Sequence, residues 1–101
     1  MNKVEEIVDL IRERTAMYIG RESIFCLNAF LLGFFMEKRD HADLSLLAEF
    51  QDWVQAKYRI KSTQSWASII HFFSSNEVDA LYNFFKDFDE FLEGRKRVDF
   101  D

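Results

Sequence analysis

Few residues in this chain could do chemistry at neutral pH. His41 and His71 are the only histidines, and histidine is the side chain whose charge changes near pH 7. His41 stands in the charged run "EKRDHAD", Glu37 to Asp43. His71 adjoins a bulky apolar run, the common setting of a hydrogen-bonded structural histidine. The sequence has no HExxH pattern and one cysteine, and it lacks a dense carboxylate-histidine spacing, so no metal or other cofactor is expected. Cys26 lies inside an apolar segment, where a buried inert thiol is the ordinary reading, and a lone cysteine excludes an internal disulfide. Three scattered glycines cannot build a phosphate loop. What remains is charge: the carboxylates of Asp79, Asp87, Asp89, Glu90 and Glu93, with Asp40 and Asp43 as a second group.

The bulk composition limits what those carboxylates can serve. The chain has 101 residues, enough for one domain with one core. It is 49% hydrophobic and 31% charged, a globular rather than a disordered balance. The formal net charge of −5 argues against direct nucleic-acid binding, which needs a basic footprint. Twelve of the seventeen aromatic residues are Phe, recurring at core spacing rather than interleaved with cations, so stacking on bases is not expected either. Glu5, Glu6 and Asp9 interrupt the N-terminal stretch where a signal peptide needs an apolar run. The longest apolar segment contains Asn28 and ends at Glu37, too short to span a bilayer. A cytoplasmic protein with no membrane contact is expected.

With no proline and few glycines, the chain has little from which to make tight turns, and long helices are the natural solution. The spacing predicts an all-α, single-domain bundle of about five helices around a central apolar helix. The first runs from Lys3 to Arg14, capped by Asn2, with Val4, Ile7, Val8 and Ile11 inward and Glu5, Glu6, Asp9 and Glu13 outward. Gly20 turns the chain, while Met17, Tyr18 and Ile19 are expected to plug the bundle end. Ser23 caps a second helix, Ile24 to Lys38, apolar nearly all round and therefore expected to be buried on most sides. Gly33 costs that helix about 1 kcal/mol against alanine, so it should mark a close helix crossing. A third helix spans Asp43 to Tyr58, and a short fourth Ser65 to Phe73, with Trp66, Ile69, Ile70 and Phe73 inward. A last helix spans Asn76 to Glu93, with a Ser74–Glu77 capping box and Gly94 just past its end. Val78, Ala80, Leu81, Phe84, Phe85, Phe88, Phe91 and Leu92 fill an arc of roughly 160°. The outer arc holds Asp79, Asn83, Lys86, Asp87, Glu90 and Glu93, with Asp89 at its edge.

Two resemblances bear on function. "MYIG", Met17 to Gly20, resembles a stretch near the nucleotide-binding helix of gyrase-type ATPases. That family carries a Glu-x-x-x-Asn pattern there, whereas Ile24 stands four residues before Asn28, and no later glycine-rich motif follows. The second resemblance covers most of the chain: "MYIGRESIFCLNAFLLGF" (Met17 to Phe34), "FQDWVQAKY" (Phe50 to Tyr58), "SWASIIHFFSSNEVDALYNFF" (Ser65 to Phe85) and "FDEFL" (Phe88 to Leu92). In that order they resemble small all-α immunity proteins of bacterial contact-dependent growth inhibition and polymorphic-toxin systems, some of which neutralise toxins with a ribonuclease A-like fold. Thr15-Ala16 stands where that family often has a proline. The resemblance implies a non-catalytic protein that binds a cognate toxin domain one-to-one, a basic nuclease and foremost an RNase. It carries over no binding residues, because its matching positions are core positions. The acidic set named above is the expected docking surface, since carboxylates can steer toward and occupy a cleft built for phosphate. The alternative is a regulatory adaptor that binds a partner helix through an apolar groove.

Overall fold

A computed structural model describes residues 3–15, 20, 23–38, 41–61 and 63–100, with backbone alone for 36–38, 41, 43 and 97–100. It contains five described helices: α1 (Lys3–Glu13), α2 (Ile24–Lys38), α3 (His41–Tyr58), α4 (Trp66–Phe72) and α5 (Glu77–Phe100). The protein is a small all-α bundle, as its composition and periodicity predict. Asn2 and residues 16–19 lie outside the described residues, and with them the first cap and the proposed plug.

Local chemistry accounts for the helix ends. Gly20 takes φ 76°, the left-handed conformation expected of it. Ser23 Oγ accepts from the amides of Phe25 and Cys26, capping α2 as predicted. The same hydroxyl donates to Glu77 at 3.3 Å, tying the start of α2 to the start of α5. Ser65 caps α4 by accepting from the Ser68 amide. Gln51 on α3 grips that entrance, accepting from the Trp66 amide at 2.6 Å and donating to the Gln64 carbonyl at 2.9 Å. At the end of α3, Ile60 N–H reaches the Gln55 carbonyl and Arg59 N–H the Ala56 carbonyl. This paired closure puts Arg59 at φ 57°, in the position where helices usually place glycine.

The core is aromatic at its centre. Phe50 of α3 is fully buried and packs against Trp53, Trp66, Phe84, Phe88 and Phe91, with ring centroids 5.3–6.0 Å apart. Such stacked, tilted and edge-to-face pairs add to the burial energy of each ring. Val4, Val8 and Ile11 of α1, Ile24, Leu27, Leu31 and Phe35 of α2, and aliphatic residues of α3, α4 and α5 such as Val54, Ile70 and Leu81 belong to the same core.

The structure corrects several expectations, among them Val78, placed in the inner arc of the last helix but 56% exposed at its first turn. Helix α2 is not enclosed all round: Phe25, Ala29, Leu32 and Gly33 are exposed, because α3, α4 and α5 pack on its other sides. The close crossing expected at Gly33 is absent, since a Cβ built there meets nothing within 4 Å. Phe73 is half exposed rather than inward, because α4 ends at Phe72 and the chain turns there. Finally, α5 continues through Gly94: Arg95 pairs with Glu49 of α3 at 3.2 Å and lies over the Phe91 ring, anchoring the following turn. The cap of α5 is also shifted from Ser74–Glu77 to Asn76, whose side-chain oxygen accepts from the Asp79 amide, while the Asp79 carboxylate accepts from the Ser75 amide.

Candidate partner-binding surface

Five of the seven predicted docking carboxylates lie on α5, and the structure separates them. Asp87 is the main correction. It is 2% exposed and faces inward, accepting from Lys57 Nζ and Tyr58 Oη, each at 2.6 Å. At about 100° per residue, Asp87 stands only about 20° beyond Ala80 at the edge of the apolar arc. The end of α3 covers that flank, so the outer-face assignment fails there. Lys57 also donates to Glu90 at 2.8 Å and lies over the rings of Trp53 and Tyr58. Burial favours the neutral amine of Lys57, but its bonds to Asp87 and Glu90 outweigh this and raise its pKa above the usual value. Burial and donation to Asp87 together push the Tyr58 phenol well above its ordinary range.

Asp89 is exposed but engaged, forming a two-pronged pair with Arg12 of α1 at 3.1 and 2.8 Å. Arg12 also stacks over the Phe85 ring, 5.1 Å from its centroid, so α1 and α5 are clasped at this point. Asp79 serves the α5 cap, as described, and is half-buried. Glu93 is exposed and makes no ion pair with a described residue. Asp40 lies outside the described residues. Asp43 falls within α3 rather than in a preceding loop.

The clasp defines a groove of about 320 Å³ between α1 and α5. Its floor is Val8, Phe88 and Leu92, and its rim is Glu5, Asp9, Arg12, Asp89, Glu93 and Lys96. Asp9 is shared with a second depression on the outer edge of α1, formed with Glu6, Leu10 and Glu13. Carboxylates therefore run continuously from the outer face of α1 into the groove. Among them Glu6, Asp9 and Glu13 make no ion pair with a described residue. The polar face of α1 is visible in the sequence, yet these residues were not expected in the docking set. Only the packing of α1 along the Glu93 flank of α5 brings the two groups together.

The side chain of His41 lies outside the described residues. His71 is half-buried with its ring 5.0 Å from that of Phe25. Among the described residues no three of His, Cys, Asp and Glu cluster closely enough to hold a metal ion, and no described helix is long and apolar enough to cross a membrane. No protein-family model, curated protein or solved structure matches the chain. Its class is therefore defined by its own architecture: a small all-α bundle with an acidic, apolar-floored groove.

Proposed function

We propose that this protein is an immunity protein: a non-catalytic cytoplasmic inhibitor that binds a cognate toxin domain one-to-one and obstructs its active site. The toxin is a nuclease with a basic cleft, and an RNase is the first candidate. The observation that carries this reading is the groove between α1 and α5, where Glu5, Asp9, Asp89 and Glu93, together with Lys96 and the Arg12 that pairs with Asp89, surround Val8, Phe88 and Leu92. A cleft that binds phosphates presents cations at several points. A rim of carboxylates offers those cations partners and steers the encounter, while the apolar floor supplies the desolvated contact that gives an interface its affinity. The resemblance of the core segments to immunity proteins points the same way. Within the acidic set, Glu93 and Asp89 remain at the docking surface, Asp9 joins them, and Asp87 leaves it.

The test joins protection to kinetics. Co-expression should protect cells from the nuclease domain encoded upstream, and the purified pair should form a one-to-one complex. Reversing Asp9 and Glu93 together to Lys should slow association about tenfold at low salt, with the difference shrinking as salt screens it. Unchanged association would remove the groove as the interface. Absence of both protection and binding would remove the immunity reading.

A further inference from the structure

Helix α5 seats an arginine against one of its rings in two places. Arg12 of α1 lies over the Phe85 ring, 5.1 Å from its centroid, and gives both prongs of its guanidinium to Asp89. Arg95 lies over the Phe91 ring, 6.0 Å from its centroid, and pairs with Glu49 of α3 at 3.2 Å. In both, a ring meets the guanidinium and a carboxylate holds its edge, an arrangement that suits a planar, weakly hydrated cation. The groove between α1 and α5 offers a third such place. Glu93 stands one helical turn beyond Asp89, with Phe88 and Leu92 on the floor beside it, and Asp9 adds a second carboxylate from α1. The lining arginine, Arg12, is already spent on Asp89. Asp9 and Glu93 are exposed, and neither forms an ion pair or hydrogen bond with a described residue. Lys96, three residues after Glu93, forms no ion pair with a described residue either.

Charge and size decide what fits. Glu5, Asp9, Asp89 and Glu93 oppose Arg12 and Lys96, four carboxylates to two cations, so the rim keeps a net charge of −2 at neutral pH. An anion is repelled. A wholly apolar side chain would cover the floor but strip water from two carboxylates and give them nothing in return. A lysine ammonium is a compact, strongly hydrated point charge. A guanidinium has five N–H donors in one plane, so it can address Asp9 and Glu93 together while its methylene stem lies on Val8, Phe88 and Leu92. The two helices run antiparallel here: Arg12 meets Asp89, while Glu5, seven residues earlier, and Lys96, seven residues later, border the same groove, about 10 Å along. That length and the volume of about 320 Å³ suit one long side chain. A helix of about 10 Å diameter laid in the same length would occupy roughly 800 Å³.

We propose that the middle of the groove is the receptor for a single arginine side chain presented by a protein partner, with the guanidinium held between Asp9 and Glu93 and the stem on the apolar floor. This deepens the immunity reading and rests on it only for who presents the arginine. In that reading the arginine is one of the cations of the nuclease's phosphate-binding cleft, and the groove takes it out of use.

Titrating the full chain with N-acetyl-arginine amide, followed by nuclear magnetic resonance, tests the receptor without the partner. The amides of Asp9 and Glu93 and the methyls of Val8 and Leu92 should shift and saturate at millimolar or higher probe. The citrulline counterpart, which keeps the shape and loses the charge, should shift none of them, and the lysine counterpart should bind more weakly. Asp9→Asn and Glu93→Gln change exposed groups that hold no described partner, so the fold stays intact, which circular dichroism verifies. Each should weaken the arginine probe about two- to fivefold. In the complex with the nuclease domain encoded upstream, replacing the nuclease's arginines one at a time should reveal one whose loss weakens binding more than about tenfold. That loss should nearly vanish against the Asp9→Asn, Glu93→Gln double variant. No saturable arginine-specific shift, or one that both substitutions leave unchanged, would overturn the receptor. A nuclease complex in which no arginine depends on Asp9 and Glu93 would overturn its role in that interface. Probe binding with no nuclease complex would uphold the receptor and remove the immunity reading.

Discussion

Replacing Asp87 with alanine separates two roles that a carboxylate on α5 can have. A docking carboxylate should be dispensable for folding, whereas a buried anchor should not. Asp87 accepts two short hydrogen bonds, from Lys57 Nζ and Tyr58 Oη, and is 2% exposed. A hydrogen bond to a charged group contributes about 1.5–3 kcal/mol, and leaving a buried partner stranded can cost 3–5 kcal/mol. The structure places this site toward the lower end. The Lys57 side chain keeps 32% of its exposure and retains Glu90, so only the half-buried Tyr58 hydroxyl loses its acceptor outright. Asp87→Ala should therefore destabilise the fold by about 2–3 kcal/mol, which for a domain of this size lowers Tm by about 10–20 °C. Asp87→Asn keeps an acceptor for Tyr58 and removes only the charge, so about 1 kcal/mol is expected. Urea unfolding followed by circular dichroism measures both. Combined with Tyr58→Phe in a double-mutant cycle, Asp87→Ala should show a coupling of about 1 kcal/mol. If Asp87→Ala unfolds within about 0.5 kcal/mol of wild type yet slows association with the proposed nuclease partner, the anchor reasoning is wrong and Asp87 belongs to the proposed docking surface.

The same cluster sets an alkaline limit. Both Tyr58 and Lys57 have raised pKa values in the folded state, so each contributes stability that is fully present below about pH 10 and is lost as pH climbs through the raised folded values. The urea midpoint should hold steady from neutral pH and fall above about pH 10, and Tyr58→Phe should make that fall shallower. Arg59 occupies a left-handed position that disfavours every residue with a Cβ, so Arg59→Gly should stabilise the protein by about 0.5–1 kcal/mol. A rise in the urea midpoint without a change in slope would show it, and a fall would mean that the Arg59 side chain contributes more than its backbone costs.

Much of the fold was legible because helix formation depends on local pattern. Val4, Val8 and Ile11 mark the inner face of α1 by spacing alone, and Ser23 and Ser65 mark helix starts because a hydroxyl there meets free backbone amides. Gly94 misled because its local tendency to stop a helix is outweighed by Arg95, whose partners Glu49 and Phe91 include a residue on another helix. Helix α2 misled in the opposite direction: apolarity all round implies burial all round only if enough neighbours exist, and α3, α4 and α5 leave one side open.

The proposed docking surface divides along the same line. Which residues carry charge, and which face of α1 or α5 they share, follows from the sequence through helical geometry. Whether a carboxylate on that face is free or spent is decided by what packs opposite it. Asp87 and Glu93 are six residues apart on one helix, but Asp87 meets Lys57 and Tyr58 while Glu93 opens onto the groove beside α1. Periodicity determined the helices, their inner faces and the all-α class, because those rest on interactions between residues three and four apart. The pairing of Arg12 with Asp89, the burial of Asp87 and the acidic groove were decided by tertiary structure alone, because each joins residues about 30 or more positions apart that only helix packing brings within reach.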